Sequence, residues 1–194
     1  MKKINGKLLA ADIAECAVFA ALMVAGAYIT IPFPLVPLTF QTVISVLAGL
    51  LLGARKGAIS MAVYCAAGLI GIPVFAAGGG VFYVLKPSFG YILGFILSAA
   101  VAGLIAGKSG LPFWRYVVAG IAAFLADYAV GIPYCIVCAH LLGVENLAGL
   151  LVTGNLLYMP KDFVLCTLAG MLAKRVIPLI ERGRGKIGKQ DNSL

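Results

Sequence analysis

The chain has 194 residues, of which 62% are hydrophobic and 11% are charged, and its mean hydropathy is +1.07. Because soluble domains carry about 25% charged residues, this composition excludes a soluble globular protein and predicts an integral membrane protein. The formal net charge of +8 does not predict nucleic-acid binding, since the basic residues lie between apolar segments rather than among aromatic residues on a polar surface.

The five cysteines lie inside apolar segments and are interpreted as small packing residues rather than as a disulfide framework. Cys135 and Cys138 share one helix face, a spacing that a metal or redox site can use, but His140 is the only histidine. The sequence therefore predicts no metal site and no cofactor.

The first apolar segment, residues 10–31, is long enough to span a membrane, which takes about 20 apolar residues. Alanines recur along it at spacings of three and four and so share one helix face: Ala10, Ala14, Ala17, Ala21 and Ala25. Small residues let helices pack closely in lipid. This alanine face is therefore predicted to dock against another helix, either of this chain or of a separate subunit.

The charge distribution sets the number of further spans, because lysine and arginine concentrate in cytoplasmic loops. If Arg55 and Lys56 face the cytoplasm together with the N-terminal lysines, the short segment 38–53 is a full second span rather than part of a re-entrant pair. The same argument places two spans before the next basic connection, at Lys108, and two more before the basic C-terminal segment. The sequence thus predicts an all-α fold, a compact bundle of six transmembrane helices with both termini cytoplasmic.

The last two predicted spans are residues 116–142 and 147–173, and Pro160 interrupts the second of them. Proline suits the first turn of a helix, so a helix is expected to restart there. The whole chain, residues 1–194, is predicted to be one domain with a mobile basic tail at about residues 182–194.

Ionisable side chains at membrane depth are costly unless they are paired or face a cavity, which makes Lys161 and Asp162 candidate binding residues. The alternative is an ordinary solvated helix start, with Asp162 in the favourable first turn. Lys86 is a weaker candidate, because its loop, residues 73–87, also reaches water. Asp127, midway along the fifth span, is either a functional carboxylate or a hydrogen-bonded helix contact, and the sequence leaves both open.

Two outward connections carry side chains that can face a ligand. In the first, a proline-rich turn leads to Thr39 and Gln41, which can bind a polar ligand or simply cap the second helix. In the second, the glycine-rich stretch after Phe75 and the segment ending at Tyr91 can form a lid over a pocket, or only a set of turns.

The sequence shows no recognisable catalytic machinery. Gly107, Lys108 and Ser109 look like the end of a phosphate-binding loop, but Ala102 occupies the position of its first glycine. No arrangement of a nucleophile and a base is recognisable either. The chain is therefore predicted not to be an enzyme.

Five ordered segments resemble a known family: residues 36–42, 50–58, 71–75, 87–95 and 160–162. Over nearly its whole length the chain resembles the BioY family, the substrate-binding S components of biotin transporters of the energy-coupling-factor (ECF) type. The resemblance implies a six-helix membrane protein that captures biotin from outside and works with a transmembrane T subunit and two cytoplasmic ATPases. The alternatives are a solitary secondary transporter and an S component for another vitamin.

The resemblance also implies roles for individual residues in binding biotin, which has a ureido ring, an apolar bicycle and a carboxylate. Asp162 matches the acidic residue of the family and is expected to accept hydrogen bonds from the ureido N–H groups. Gln41 or Thr39 is expected to meet the ureido carbonyl group.

Phe75 and Tyr91 are expected to pack against the bicycle of biotin, and Lys161 or Lys86 to attract its carboxylate. Many family members carry a lysine three residues after the aspartate, where this chain has Leu165. Lys161 is the expected substitute, although its side chain projects from the helix at a different angle.

Overall fold

The computed structural model describes residues 6–31, 36–146 and 158–191, together with residues 149 and 156. Over these residues the fold is mostly helical, as predicted, and its α-helices are α1 (Gly6–Tyr28), α2 (Gln41–Leu52), α3 (Ala54–Leu69), α4 (Phe89–Ala106), α5 (Phe113–Leu141) and α6 (Met159–Asp191). Two antiparallel strands, β1 (Thr30–Ile31) and β2 (Leu38–Thr39), lie between α1 and α2, and a 3-10 helix (Val81–Leu85) lies between α3 and α4.

Four helical segments of the described chain are long and apolar enough to cross a membrane: Ala10–Tyr28, Phe89–Ala106, Phe113–Leu141 and Met159–Glu181. α2 has only 12 residues. At 1.5 Å per residue it rises about 18 Å, well short of the roughly 30 Å of membrane hydrocarbon. Six full crossings, and the cytoplasmic position of both termini, therefore stay predictions.

α2 and α3 form a tight helical hairpin around Gly53. This one residue separates the two helices, and its φ of 82° lies in the left-handed region that glycine adopts without strain. The helices then pack closely, because Gly57 of α3 lies on Gly49 of α2, where a Cβ at Gly57 would be 2.8 Å from the Gly49 Cα. Close packing of this kind holds helices together in lipid, where the hydrophobic effect between them is lost.

The start of α6 accounts for the interruption predicted at Pro160. The helix begins at Met159, and the Asp162 N–H donates to the Tyr158 carbonyl oxygen at 3.1 Å. Pro160 therefore lies in the first turn, where a missing N–H breaks no intrahelical hydrogen bond. Most of the predicted span before this point lies outside the described residues.

The far end of α6 reaches Asp191, so the helix includes much of the basic segment that was predicted to be a mobile tail. Residues 192–194 lie outside the described residues. The mobility of this segment stays a prediction.

Candidate ligand-binding site

The N-terminal ends of α2, α4 and α6 converge on a cavity, with β2 and α5 at its sides. Its volume is about 540 Å³, a figure that includes the open mouth. Polar side chains from all five elements line it: Thr39, Gln41, Thr42, Tyr91, Tyr128, Lys161 and Asp162. The positive ends of the three helix dipoles favour negative charge at this place.

Asp162 is the acid of the cavity, and only 7% of its side chain is exposed. Its Oδ2 accepts a hydrogen bond from the Tyr128 hydroxyl at 2.7 Å, and its Oδ1 lies 2.9 Å from Lys161 Nζ. Lys161 also donates to the Thr39 carbonyl oxygen at 2.5 Å, and its ammonium lies 5.2 Å from the centre of the Phe40 ring. Asp162 is thus a buried carboxylate that pairs with the half-buried Lys161, and the binding role of both residues stays a prediction.

Gln41, the first residue of α2, connects the cavity to α1 and α3. Its Nε2 donates to the Met23 carbonyl oxygen at 3.3 Å and to the Tyr64 hydroxyl at 2.6 Å. The Tyr64 hydroxyl in turn donates to the Val74 carbonyl oxygen at 3.2 Å. Thr39 Oγ1 accepts the backbone N–H of Gln41 at 3.4 Å, so Thr39 both contacts the helix start and lines the cavity.

Aromatic rings form the wall between α4 and α5. Tyr91 and Tyr128 meet edge to face with their ring centres 5.5 Å apart, and Phe124 packs against Tyr128 at 4.7 Å. Offset and edge-to-face pairs of this kind leave ring faces and edges available to an apolar ring system. Tyr91 was predicted to contact a ligand, and it lies in the cavity lining.

Phe75 and Lys86, the other two predicted binding residues, lie outside the lining of the cavity. Phe75 is buried, with its ring centre 5.4 Å from that of Tyr64 and 4.5 Å from that of Tyr83. Lys86 is exposed, donates to the Ala77 carbonyl oxygen at 3.0 Å and lies 4.7 Å from the Tyr83 ring centre. Phe75 therefore supports the wall from behind, and a direct contact of either residue with a ligand stays a prediction.

Asp127, whose role the sequence left open, is completely buried on α5 behind the cavity lining. Its carboxylate approaches α4 at Gly94, where a Cβ would be 2.3 Å from Oδ1. Within the described chain neither oxygen accepts a hydrogen bond of normal geometry, and the Thr42 side chain of the cavity wall interacts with the carboxylate. Asp127 is thus a neighbour of the site and not part of its surface.

The model of the BioY family matches residues 1–182 of the chain. The chain belongs to the BioY family. It is 40% identical over 171 residues to the probable biotin transporter BioY of Lysinibacillus sphaericus, and the match covers 87% of each chain.

Two solved structures share the fold of this BioY family member. The S component for biotin from an ECF-type ABC transporter matches with a TM-score of 0.65 and 22% identity, over 89% of this chain and 94% of that chain. FolT bound with folic acid matches with a TM-score of 0.62 and 20% identity, over 85% of this chain and 95% of that chain. These two proteins share the fold and differ in the ligand for which they are named.

Membership of the BioY family, together with the four long apolar helices, makes the chain a multi-pass membrane protein of a transporter family. The predicted location in the membrane and the predicted transport class are confirmed.

Several residues that line the cavity of this BioY protein were not predicted from the sequence, among them Thr42, Tyr128 and Tyr158. Asp127 was singled out on α5, whereas its neighbour Tyr128 reaches the cavity. Adjacent residues of a helix point about 100° apart, so a one-residue difference decides which side chain faces the site. The sequence therefore indicated a polar position in the fifth span, but it did not show which side chain around the helix axis faces the cavity.

The alanine face of α1 is exposed at each of its five positions, Ala10, Ala14, Ala17, Ala21 and Ala25. No other described helix of the chain buries it. The opposite side of α1 is fixed to α3, because Lys56 bonds the Asp12 carboxylate and lies 3.8 Å from Glu15 Oε2, and Ser60 Oγ donates to the Cys16 carbonyl oxygen at 2.6 Å. α1 is thus anchored on one side, and no helix among the described residues covers the other.

Proposed function

We propose that this chain is the S component of an ECF-type biotin transporter and captures biotin at the outer surface of the cell membrane. The observation that carries the proposal is the cavity, which brings together residues assigned to biotin from the family resemblance: Thr39, Gln41, Tyr91, Lys161 and Asp162. The biotin transporter named among the relatives supports the same ligand.

The chemistry of the cavity suits the three parts of biotin. Asp162 has acceptor capacity left on its carboxylate for a ureido N–H group. Tyr91 and Tyr128 offer ring surface to the apolar bicycle. The Lys161 ammonium provides a positive charge for the carboxylate, and no step requires covalent chemistry, in line with a protein that binds its substrate and is not an enzyme.

The proposed topology has six spans, with the cavity facing outward and both termini in the cytoplasm. Contacts at the end of the bundle remote from the cavity support it. The first turn of α3 bonds α1 through Lys56 and Asp12, and the α4–α5 connection bonds α6 through Ser109 and Glu181. The basic connections thus lie at one end, as the positive-inside rule expects for the cytoplasmic side.

This topology predicts one-sided labelling. A cysteine introduced by Ser109→Cys is expected to react with a membrane-impermeant thiol reagent only from the cytoplasmic side of sealed vesicles. Labelling from the outer side would contradict the orientation.

The proposed partners are a transmembrane T subunit and two cytoplasmic ATPase subunits. The exposed alanine face of α1 is the proposed docking surface for the T subunit, since small residues allow close helix approach in lipid. Separate ATPase subunits fit a sequence that offers no phosphate-binding loop of its own.

The experiment that tests the function is calorimetric titration of biotin into the purified chain in detergent. Tight binding at one biotin per chain is the expected result. Absence of binding by a demonstrably folded sample would contradict the proposal, and binding of a different vitamin in the same assay would identify an S component of other specificity.

A further inference from the structure

The Gln41 side chain lines the cavity, and only 4% of the residue is exposed. Its amide nitrogen lies 3.3 Å from the carbonyl oxygen of Met23 and 2.6 Å from the hydroxyl oxygen of Tyr64. The chemistry of these two neighbours decides which end of the amide is left for a ligand.

Both neighbours of the amide act as acceptors. The Met23 carbonyl oxygen can only accept, and the Tyr64 hydroxyl gives its single proton to the Val74 carbonyl oxygen at 3.2 Å. A flipped amide would place its oxygen against the Met23 carbonyl oxygen with no proton between them, and it could keep the Tyr64 contact only if that hydroxyl gave up its bond to Val74. The nitrogen end of Gln41 therefore points to α1 and α3, and both of its N–H groups are used.

Close packing holds the stem of the Gln41 side chain in place. Gly26 of α1 lies directly on the start of α2, where a Cβ would be 3.5 Å from Gln41 Cγ and 2.5 Å from Ile44 Cδ1. Turning the amide would break the buried hydrogen bond to Met23 and would draw the Tyr64 proton away from Val74, which is costly. The carboxamide oxygen is thus the remaining polar atom that Gln41 can present to the cavity.

We propose that Gln41 is a specificity-determining residue that accepts a hydrogen bond from a ligand N–H group through Oε1. This assignment rests on the proposed function. It makes Gln41 a hydrogen-bond acceptor, whereas a residue that met the ureido carbonyl group would have to be a donor. Of Thr39 and Gln41, Thr39 is the hydrogen-bond donor to the ligand. Its Oγ1 accepts the Gln41 backbone N–H, so the hydroxyl proton is left for the ureido carbonyl oxygen.

The cavity then matches a cyclic urea. Asp162 and Gln41 give each of the two ureido N–H groups an acceptor, and Thr39 gives the carbonyl oxygen a donor. A buried acceptor left without a donor is costly, so the cavity rejects a ligand that lacks one N–H group more strongly than one that differs only in apolar parts.

The test is a cycle between ligand and protein, measured by calorimetric titration of the full chain in detergent. The ligands are biotin and its two analogues methylated on one or the other ureido nitrogen, and the proteins are the wild type and Gln41→Ala. In the wild type at least one analogue is expected to bind about tenfold more weakly than biotin, the scale of one lost hydrogen bond. In Gln41→Ala, which removes the acceptor and makes room for the methyl group, the analogue that faces position 41 is expected to bind within about twofold of biotin.

Two controls separate this role from others. Thr39→Val removes a hydroxyl from the same wall and is expected to leave the methylation penalty unchanged. A biotin analogue with sulfur in place of the ureido oxygen tests the polarity of Gln41. If Gln41 donated to the carbonyl, the effects of Gln41→Ala and of the sulfur would not add, and the proposal would be overturned.

The outcomes distinguish this proposal from the function on which it rests. Failure of the folded wild type to bind biotin would overturn both. Binding of biotin with both methylation penalties intact in Gln41→Ala would overturn the assignment of Gln41 alone. A merely structural role of Gln41 gives that second result, because it lowers the affinities for biotin and for the analogue by the same factor.

Discussion

The hydroxyl of Tyr128 donates a hydrogen bond to Asp162 Oδ2 at 2.7 Å, which joins the middle of α5 to the first turn of α6. The other carboxylate oxygen pairs with Lys161, so both oxygens are held by groups of the cavity wall. A ligand N–H therefore meets an acceptor that is already oriented, and less entropy is lost on binding. Asp162 combines this fixed orientation with burial and charge.

Asp162→Asn is expected to weaken biotin binding about tenfold or more, the scale of one charge-assisted hydrogen bond, and to leave expression unchanged. Asparagine keeps the size of the side chain and one acceptor oxygen but loses the charge that pairs with Lys161. Calorimetric titration measures the change. Tyr128→Phe is the matched control, with a smaller expected loss because the carboxylate remains, and an unchanged affinity of Asp162→Asn would remove Asp162 from the site.

Lys161→Met is expected to lower the affinity for biotin about tenfold or more, because a hydrogen bond to a charged group is lost and Asp162 keeps an unpaired charge. The same substitution frees the Thr39 carbonyl oxygen, which loses its link to α6. Lys86→Met is the control, since Lys86 is exposed and lies outside the cavity lining. If Lys86→Met lowered the affinity for biotin more than Lys161→Met did, the contact with the biotin carboxylate would be assigned to Lys86 instead.

The parts of the fold that could be predicted from the sequence are those with a local chemical signal. Pro160 marks the first turn of α6 because proline has no N–H, and the basic pair Arg55 and Lys56 marks the connection between α2 and α3. The position of Lys161 and Asp162 in a cavity lining was predictable, because ionisable side chains at membrane depth are costly unless they are paired or face a cavity.

The parts that could not be predicted depend on contacts between distant residues. Phe75 was expected to pack against a ligand, and the structure places its ring outside the cavity lining, in the space left by Gly68, where a Cβ would be 1.9 Å from Phe75 Cζ. Nothing near Phe75 in the sequence reports this space. The polarity of Gln41 likewise depends on Met23 and Tyr64, which belong to other helices.

Gly94→Ala is expected to destabilise the bundle by about 1–3 kcal/mol, the usual range for an overpacked core. A Cβ at Gly94 would be 2.3 Å from Asp127 Oδ1 and 2.7 Å from its backbone oxygen, so α4 and α5 must move apart. Thermal unfolding in detergent measures the loss. Gly183→Ala on α6 is the control, since a Cβ there meets nothing within 4 Å. If Gly94→Ala melted at the same temperature as the wild type, this account of the packing would be refuted.

The exposed alanine face of α1 yields a prediction that separates binding from assembly. The double variant Ala17→Leu and Ala21→Leu is expected to bind biotin like the wild type but not to co-purify with the T subunit. Both positions are exposed and the cavity lies elsewhere, whereas a leucine side chain would hold a partner helix away from the α1 backbone.

The control for this prediction is the double variant Ala62→Leu and Ala66→Leu, which places the same bulk at the same spacing on exposed positions of α3. It is expected to assemble normally, because those positions are not on the proposed docking surface. Loss of assembly in both double variants would mean that added bulk anywhere on the bundle blocks the complex. Normal co-purification of the α1 variant would exclude the alanine face as the docking surface, while the cavity and its ligand would be unaffected.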